Sequence, residues 1–113
     1  MKYNDESLFV VVALHELLGH GTGKLFRKAE TGELNFDPTL LNPLTGTPVT
    51  TYYNPNETYN GKFGEISSAF EECRADSVAI YLSCFPEVVN VLMPEFNSEE
   101  QLDIVYVEWY TIL

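Results

Sequence analysis

Two histidines flank a glutamate inside an apolar run near the start of the chain, where residues 15–20 read His-Glu-Leu-Leu-Gly-His. A helix that holds one metal ion with two histidines commonly spaces them four residues apart, so that both rings lie on one face. In a regular α-helix the spacing of five found here separates His15 and His20 by about 140°. One extra residue accommodated as a π-bulge restores the convergence, most easily at Gly19. The motif therefore predicts a helix with a π-type turn, or else two hydrogen-bonded structural histidines.

Apolar periodicity predicts a mainly α-helical chain, with the motif helix at about residues 7–24 and a second helix at 65–85. Between them, residues 25–64 carry turn signals that favour a small hairpin followed by a long ordered loop. C-terminal helices are expected within residues 87–113, the last one opened by Ser98 as N-cap with Gln101 three residues later. The second helix is expected to bury one stripe of side chains: Ile66, Ala69, Phe70, Cys73, Ile80, Tyr81 and Cys84.

A second motif lies in that helix, where residues 71–76 read Glu-Glu-Cys-Arg-Ala-Asp. Glu72 and Asp76 are four residues apart and face the same way, with Glu71 adjacent. Three carboxylates beside a buried stripe are costly unless positive charge compensates them, and Arg74 can neutralise one. A zinc ion held by the two histidines would compensate the others, with one carboxylate as ligand and the rest orienting the histidine rings. The two motifs together predict a zinc site in which Glu16 is the general base, although a surface glutamate is the plainer reading of Glu16.

Composition limits the partners. Six basic residues against 17 acidic residues give a net charge of −11, which argues against nucleic acid and suits a metal cation or a substrate with a free amino group. No stretch approaches the roughly 20 apolar residues that span a bilayer, so a membrane is not expected either. Cys73 and Cys84 would lie about 16 Å apart along one helix, too far to pair. Free thiols suit a reducing compartment, and we expect a cytoplasmic protein.

The two motifs, with residues 21–26 and 35–37, resemble the paired signature of the dipeptidyl peptidase III family (M49) of zinc metallopeptidases. The resemblance runs through essentially all 113 residues. It implies one zinc ion per chain, with His15, His20 and Glu72 as ligands and Glu16 as the general base. It also implies that Glu71 and the acid at position 76 orient the ligand histidines. The family commonly has Glu where this chain has Asp76. Because the Asp side chain is one methylene shorter, its contact with a ligand histidine is the least certain of these implied roles.

The resemblance further implies the helical, zinc-binding part of the upper of two lobes that flank a cleft. Such enzymes release dipeptides from the free N-terminus of short peptides. Residues 102–113 form an apolar helix without a cap, so we expect residues 1–113 to be a single fragment of the catalytic domain. The family's substrate-binding groups include a further histidine, and no histidine follows His20 in this sequence. Such a fragment would therefore need the remainder of the catalytic lobes and would be a poor peptidase alone. The alternatives are a non-catalytic metal-binding module and a helical interaction module that retains the motifs.

Overall fold

The computed structural model describes residues 2–112, which form two compact units. The first unit combines the N-terminal segment up to Thr22 with the segment from Ser68 onward. The second unit is Gly23–Ser67. Both motifs therefore fold within the first unit, although some fifty residues separate them along the chain.

The chain is mainly helical, as the sequence predicted. Its helices, in chain order, are α1 (Asn4–Ala13), a π-helix (Leu14–His20), α2 (Tyr59–Phe63), a 3₁₀ turn (Gly64–Ile66), α3 (Ser67–Ser83), α4 (Pro86–Leu92) and α5 (Ser98–Ile112). None of these helices is by itself long and apolar enough to cross a bilayer, and the pair 59–83 and 86–92 meets that test only when joined across a bend of 100°. Within residues 2–112 there is no β-strand, only three isolated bridges.

The first motif helix is displaced from the predicted range of 7–24. Helical structure begins at Asn4 and ends at His20. Ser7, where the predicted helix began, is buried inside α1, and its hydroxyl donates to the carbonyl of Asn4. The helix ends early because a glycine-rich segment follows, in which Gly23 adopts a φ of +93° that α-helical backbone does not allow.

The second unit corrects the prediction for residues 25–64 in two places. The expected hairpin is not confirmed as paired strands, because the segment turns back through Gly32 (φ +91°) with a single antiparallel bridge between Lys28 and Leu34. The segment predicted as a long loop also contains a short helix, α2 (Tyr59–Phe63), which the sequence analysis did not predict. The Thr58 hydroxyl accepts a hydrogen bond from the Gly61 backbone N–H at 3.0 Å and caps that helix.

The core of the first unit forms where α1 and the π-helix pack with α3 and α5. Its buried members are Val10, Leu14, Ala79, Met93 and Ile104. The predicted stripe on α3 is wrong, since Phe70 is 49% exposed and Tyr81 is 64% exposed. The face that α3 buries instead carries Ala75, Ala79 and Ser83. Small side chains on this face let α3 approach its neighbours closely, and this brings the two motifs near each other.

The cap of α5 lies one residue before the predicted one. The Asn97 side-chain oxygen accepts from the backbone N–H groups of Glu99 and Glu100 at 3.0 and 3.1 Å. The Glu100 carboxylate accepts in return from the Asn97 backbone N–H at 3.1 Å, completing a capping box. Gln101 takes no part in this cap. Its buried amide instead donates to the carbonyls of Met93 and Phe96.

The carboxyl group of Glu108 on α5 is buried at a cost in desolvation free energy that no hydrogen bond to it from residues 2–112 offsets. Glu108 is fully buried, and neither carboxylate oxygen has a hydrogen-bond partner among the described residues. Burial raises the pKa of Glu108 to about 7, and the nearby Ser83 hydroxyl opposes this only in part. That hydroxyl donates to the Ile80 carbonyl. The side chain therefore stays protonated in the fold over a range in which the unfolded chain has already released the proton.

The Glu108→Gln variant is expected to remove a pH dependence of stability. Because the folded pKa of Glu108 lies above its unfolded value of 4.5, the native chain loses stability as pH rises from about 4.5 to about 7. The loss is on the order of 2–3 kcal/mol. Glutamine resembles the protonated acid and does not titrate, so the difference in unfolding free energy between variant and native chain should grow across this window. Urea denaturation at pH 4.5, 6 and 7.5 measures it, and a constant difference would contradict the assignment.

Candidate metal centre

The first motif forms the predicted π-type turn, and the π-helical winding continues through the whole motif rather than a single turn. The π-helix covers Leu14–His20, and its wider winding compensates for the spacing of five. The rings of His15 and His20 stand edge to face, with centroids 4.7 Å apart and planes at 84°. Both rings therefore lie on the same side of the helix, which a regular α-helix would prevent.

Gly19 does more than allow the backbone to adjust. It is buried, and an ideal Cβ at this position would lie 2.9 Å from three atoms of Ala75: Cα, Cβ and the carbonyl oxygen. Two of these are backbone atoms that cannot rotate away. The π-helix therefore touches the backbone of α3 through Gly19, and this close approach brings the histidines to the carboxylates of the second motif. Small residues in both motifs, Gly19 and Ala75, were the signal that sequence reasoning could have used.

The Gly19→Ala variant should separate the two motif helices. The added methyl group requires a shift of several tenths of an ångström, so we expect the unfolding free energy to fall by about 1–3 kcal/mol. The affinity for zinc, the metal expected from the sequence, should fall at least about tenfold, because ligand geometry tolerates little displacement. Gly61→Ala is the matched control, since its Cβ meets only the Thr58 hydroxyl oxygen, at 3.0 Å. Denaturant titration and zinc competition measure both effects, and equal behaviour of the two variants would show that the contact is unimportant.

Glu72 lies between the two histidine rings. One carboxylate oxygen is 3.1 Å from Nε2 of His15, and the other is 3.6 Å from Nε2 of His20. Ligand atoms of these three residues all lie within 4.8 Å of one another. The structure thus brings together the three residues predicted as metal ligands.

These distances fit a small tetrahedral ion. Ligand atoms about 2.0–2.1 Å from a tetrahedral zinc lie roughly 3.3 Å from each other. The observed separations of 3.1 and 3.6 Å involve different oxygens of Glu72, so a small rotation of this exposed carboxylate would be needed for one oxygen to serve as the ligand. Two imidazole nitrogens and one carboxylate are also a donor set typical of catalytic zinc, which keeps a fourth position open. The Glu72 side chain is 57% exposed, so the site faces solvent.

The other nitrogen of each ring is held by a carboxylate of α3. Asp76 lies 2.8 Å from Nδ1 of His15, and Glu71 lies 3.1 Å from Nδ1 of His20. The shorter side chain of Asp76 therefore reaches its histidine. Because an ionised carboxylate only accepts hydrogen bonds, each Nδ1 donates to its carboxylate, and Nε2 is left as the nitrogen of each ring that could bind a metal ion on the side of Glu72.

Charge in this cluster is balanced by Arg74. Its guanidinium donates to both oxygens of Glu71, at 2.9 and 2.5 Å, and holds the pKa of Glu71 at about 2, with a smaller effect from His20. The pKa of His20 is raised in turn, first by the hydrogen bond to Glu71 and then by the charges of Glu72 and Glu16. Sequence reasoning foresaw this charge balance but not the second contact of Arg74, with the Thr22 carbonyl at 3.2 Å.

Glu16 follows His15 in the chain, and its side chain is exposed. Its carboxylate makes no hydrogen bond or ion pair with any residue in the described part of the chain. It is close enough to His20 for its charge to raise the pKa of that ring. An unpaired carboxylate beside a candidate metal site is available to act as a general base.

The cluster is a candidate metal site of the metallopeptidase type: two histidines and a glutamate as candidate ligands, with a further carboxylate near them. The sequence profile of peptidase family M49 matches residues 1–113, and the chain belongs to that family.

Individual relatives agree with the family assignment. The chain is 42% identical over 114 residues to dipeptidyl peptidase 3 of Rattus norvegicus, and 44% identical over 112 residues to that of Homo sapiens. These alignments cover 100% and 98% of this chain and 15% of each relative. Dipeptidyl peptidase 3 of Dictyostelium discoideum is 38% identical over 110 residues, which are 94% of this chain and 16% of the relative. The chain thus spans about 15% of the length of the curated relatives it matches.

Proposed function

We propose that this chain is the zinc-binding part of a zinc-dependent exopeptidase that releases dipeptides from the free N-terminus of short peptides. The observation that carries the proposal is the convergence of three ligand atoms, with the remaining nitrogen of each histidine bonded to a carboxylate. A structural pair of histidines would not need a third carboxylate between the two Nε2 atoms. His15, His20 and Glu72 are assigned as the ligands, and one zinc ion is expected per chain.

The reaction divides between the ion and the side chains. Zinc, when bound, supplies a Lewis acid that activates water and polarises the peptide carbonyl. Glu16 accepts the proton of the attacking water and delivers it to the leaving amine. Asp76 and Glu71 keep the histidine rings in one tautomer and orientation, so that Nε2 remains available.

The substrate class is proposed from charge and from the names of the relatives, all called dipeptidyl peptidase 3. A net charge of −11 favours a substrate with a protonated amino terminus. Groups that bind the peptide are expected on the remainder of the catalytic lobes, because the resemblance implies a further histidine among them and residues 1–113 offer none beyond the two at the site. We expect the 113-residue chain to bind zinc yet cleave peptides poorly. A cytoplasmic location is proposed as well, supported by the free thiols of Cys73 and Cys84.

The test compares two peptides that differ only at the amino terminus, one free and one acetylated, incubated with the longer protein that contains this chain. Mass spectrometry should detect a dipeptide released from the free peptide alone. A chelator should abolish release, and added zinc should restore it. Elemental analysis of the 113-residue chain should give about one zinc per chain.

Two outcomes would count against the proposal. Equal cleavage of the acetylated peptide would contradict exopeptidase specificity. Stoichiometric zinc without any peptide cleavage by the longer protein would favour the alternative, a metal-binding module that retains the motifs without catalysis.

A further inference from the structure

Arg74 links the second motif to the chain segment that follows the π-helix. It lies on α3, one turn after Glu71, and its side chain is about one-third exposed. Its Nε and Nη2 donate to the two oxygens of Glu71, and its Nη1 donates to the carbonyl of Thr22. One planar group thus binds a carboxylate and a backbone oxygen at the same time, a geometry that suits guanidinium.

Both partners of Arg74 are connected to His20. The Glu71 oxygen that receives the 2.5 Å bond from Arg74 also lies 3.1 Å from Nδ1 of His20. Thr22 follows His20 by two residues, at the point where the π-helix has ended. Arg74 therefore fixes the carboxylate that contacts the ring and also the backbone that leads away from it.

His20 is the histidine that needs this support. Its side chain is 29% exposed, against 15% for His15, and it is the last residue of its helix. Its Nε2 is also the farther of the two from Glu72, at 3.6 Å against 3.1 Å. An exposed ring at a helix end keeps one rotamer only if neighbours hold it, because packing alone restricts it little.

We propose that Arg74 is a positioning residue for His20, holding Glu71 and the Thr22 carbonyl so that Nε2 of the ring faces Glu72. The proposal rests on the proposed function, since it assigns His20 as a zinc ligand. It goes beyond charge balance, which any cation at position 74 would provide. Orientation requires the planar fork of arginine, because the three N–H groups of lysine radiate from one nitrogen and cannot reproduce the positions of Nε, Nη1 and Nη2, each of which donates to a different acceptor atom here.

The test therefore compares Arg74→Lys, which keeps the charge, with Arg74→Met, which removes it. Zinc affinity is measured on the 113-residue chain by competition with a chelator. We expect Arg74→Lys to weaken zinc binding about tenfold and Arg74→Met somewhat more, within the roughly 10–100-fold typical of residues that support metal ligands. Lys62→Met is the control, since it removes the ion pair of Lys62 with Glu57 in the other unit. Its zinc affinity should stay within about twofold of native.

A second readout reports on the ring itself and needs no metal. The ¹⁵N shifts of His20 at pH 8 should indicate a proton on Nδ1 in the native chain and a mixture of tautomers in both Arg74 variants, whereas His15 should keep its native signal. A general loss of structure would change both histidines. Native zinc affinity and an unchanged His20 signal in Arg74→Lys would overturn the proposal and leave charge balance as the role of Arg74. A native chain without zinc would contradict the proposed function, while the His20 signal would still decide the role of Arg74.

Discussion

In the zinc peptidase that we propose contains this chain, the Glu16→Gln variant should retain zinc and lose nearly all peptidase activity. Glutamine keeps the size of the side chain and its exposed place between the histidines, but it cannot accept a proton. General-base catalysis typically contributes about 10²- to 10⁴-fold to the rate, and kcat should fall by that factor. KM should change little, because Glu16 makes no contact that holds the site together.

Steady-state kinetics and elemental analysis of the same preparation measure the two expectations. Glu87→Gln is the control, since Glu87 is an exposed glutamate in the first turn of α4, and its activity should remain native. Activity of Glu16→Gln within about threefold of native would remove Glu16 as the base. Loss of zinc together with activity would make its role structural instead.

Glu72→Ala should abolish stable zinc binding. Glu72 is the residue whose two oxygens approach Nε2 of both histidines, at 3.1 and 3.6 Å, so alanine leaves two ligands where three converge. We expect the affinity to fall by more than about 100-fold, beyond the range for residues that only support a ligand. The fold should persist, because the Glu72 side chain is more than half exposed and is not part of the buried core.

Zinc per chain after dialysis measures this effect, with circular dichroism to confirm the helices. Glu87→Ala serves as the control and should keep about one zinc per chain. Zinc retained at native affinity by a folded Glu72→Ala protein would show that another carboxylate is the third ligand. Glu71 would be the candidate to test next, because it already contacts His20.

Features that depend on neighbouring residues were predictable from the sequence. The spacing of five between the histidines requires a π-type turn if both rings serve one ion, and residues 14–20 form that helix. The last helix was placed to within one residue by Ser98 and Gln101, although the capping box that forms uses Asn97 and Glu100. Short-range hydrogen bonds decide both features, so the order of residues is sufficient information.

The buried face of α3 was not predictable in the same way. Hydrophobicity favoured a stripe that includes Phe70 and Tyr81, yet the structure buries Ala75, Ala79 and Ser83. Helical periodicity states which residues share a face, but a neighbouring helix decides which face is covered. Here the close approach of Gly19 to Ala75 decides it. The small size of both residues is visible in the sequence, but their pairing across more than fifty residues is not.

The sequence alone thus determined the helical class, the π-type turn and the set of residues available to a metal site, since each follows from spacing within one motif. Only the tertiary structure decided the pairing within that set: Asp76 with His15, Glu71 with His20, and Glu72 between the two rings. Spacing within a helix fixes directions relative to that helix alone. The distance and rotation between the π-helix and α3 depend on how closely Gly19 and Ala75 pack, and those two quantities set every distance in the site.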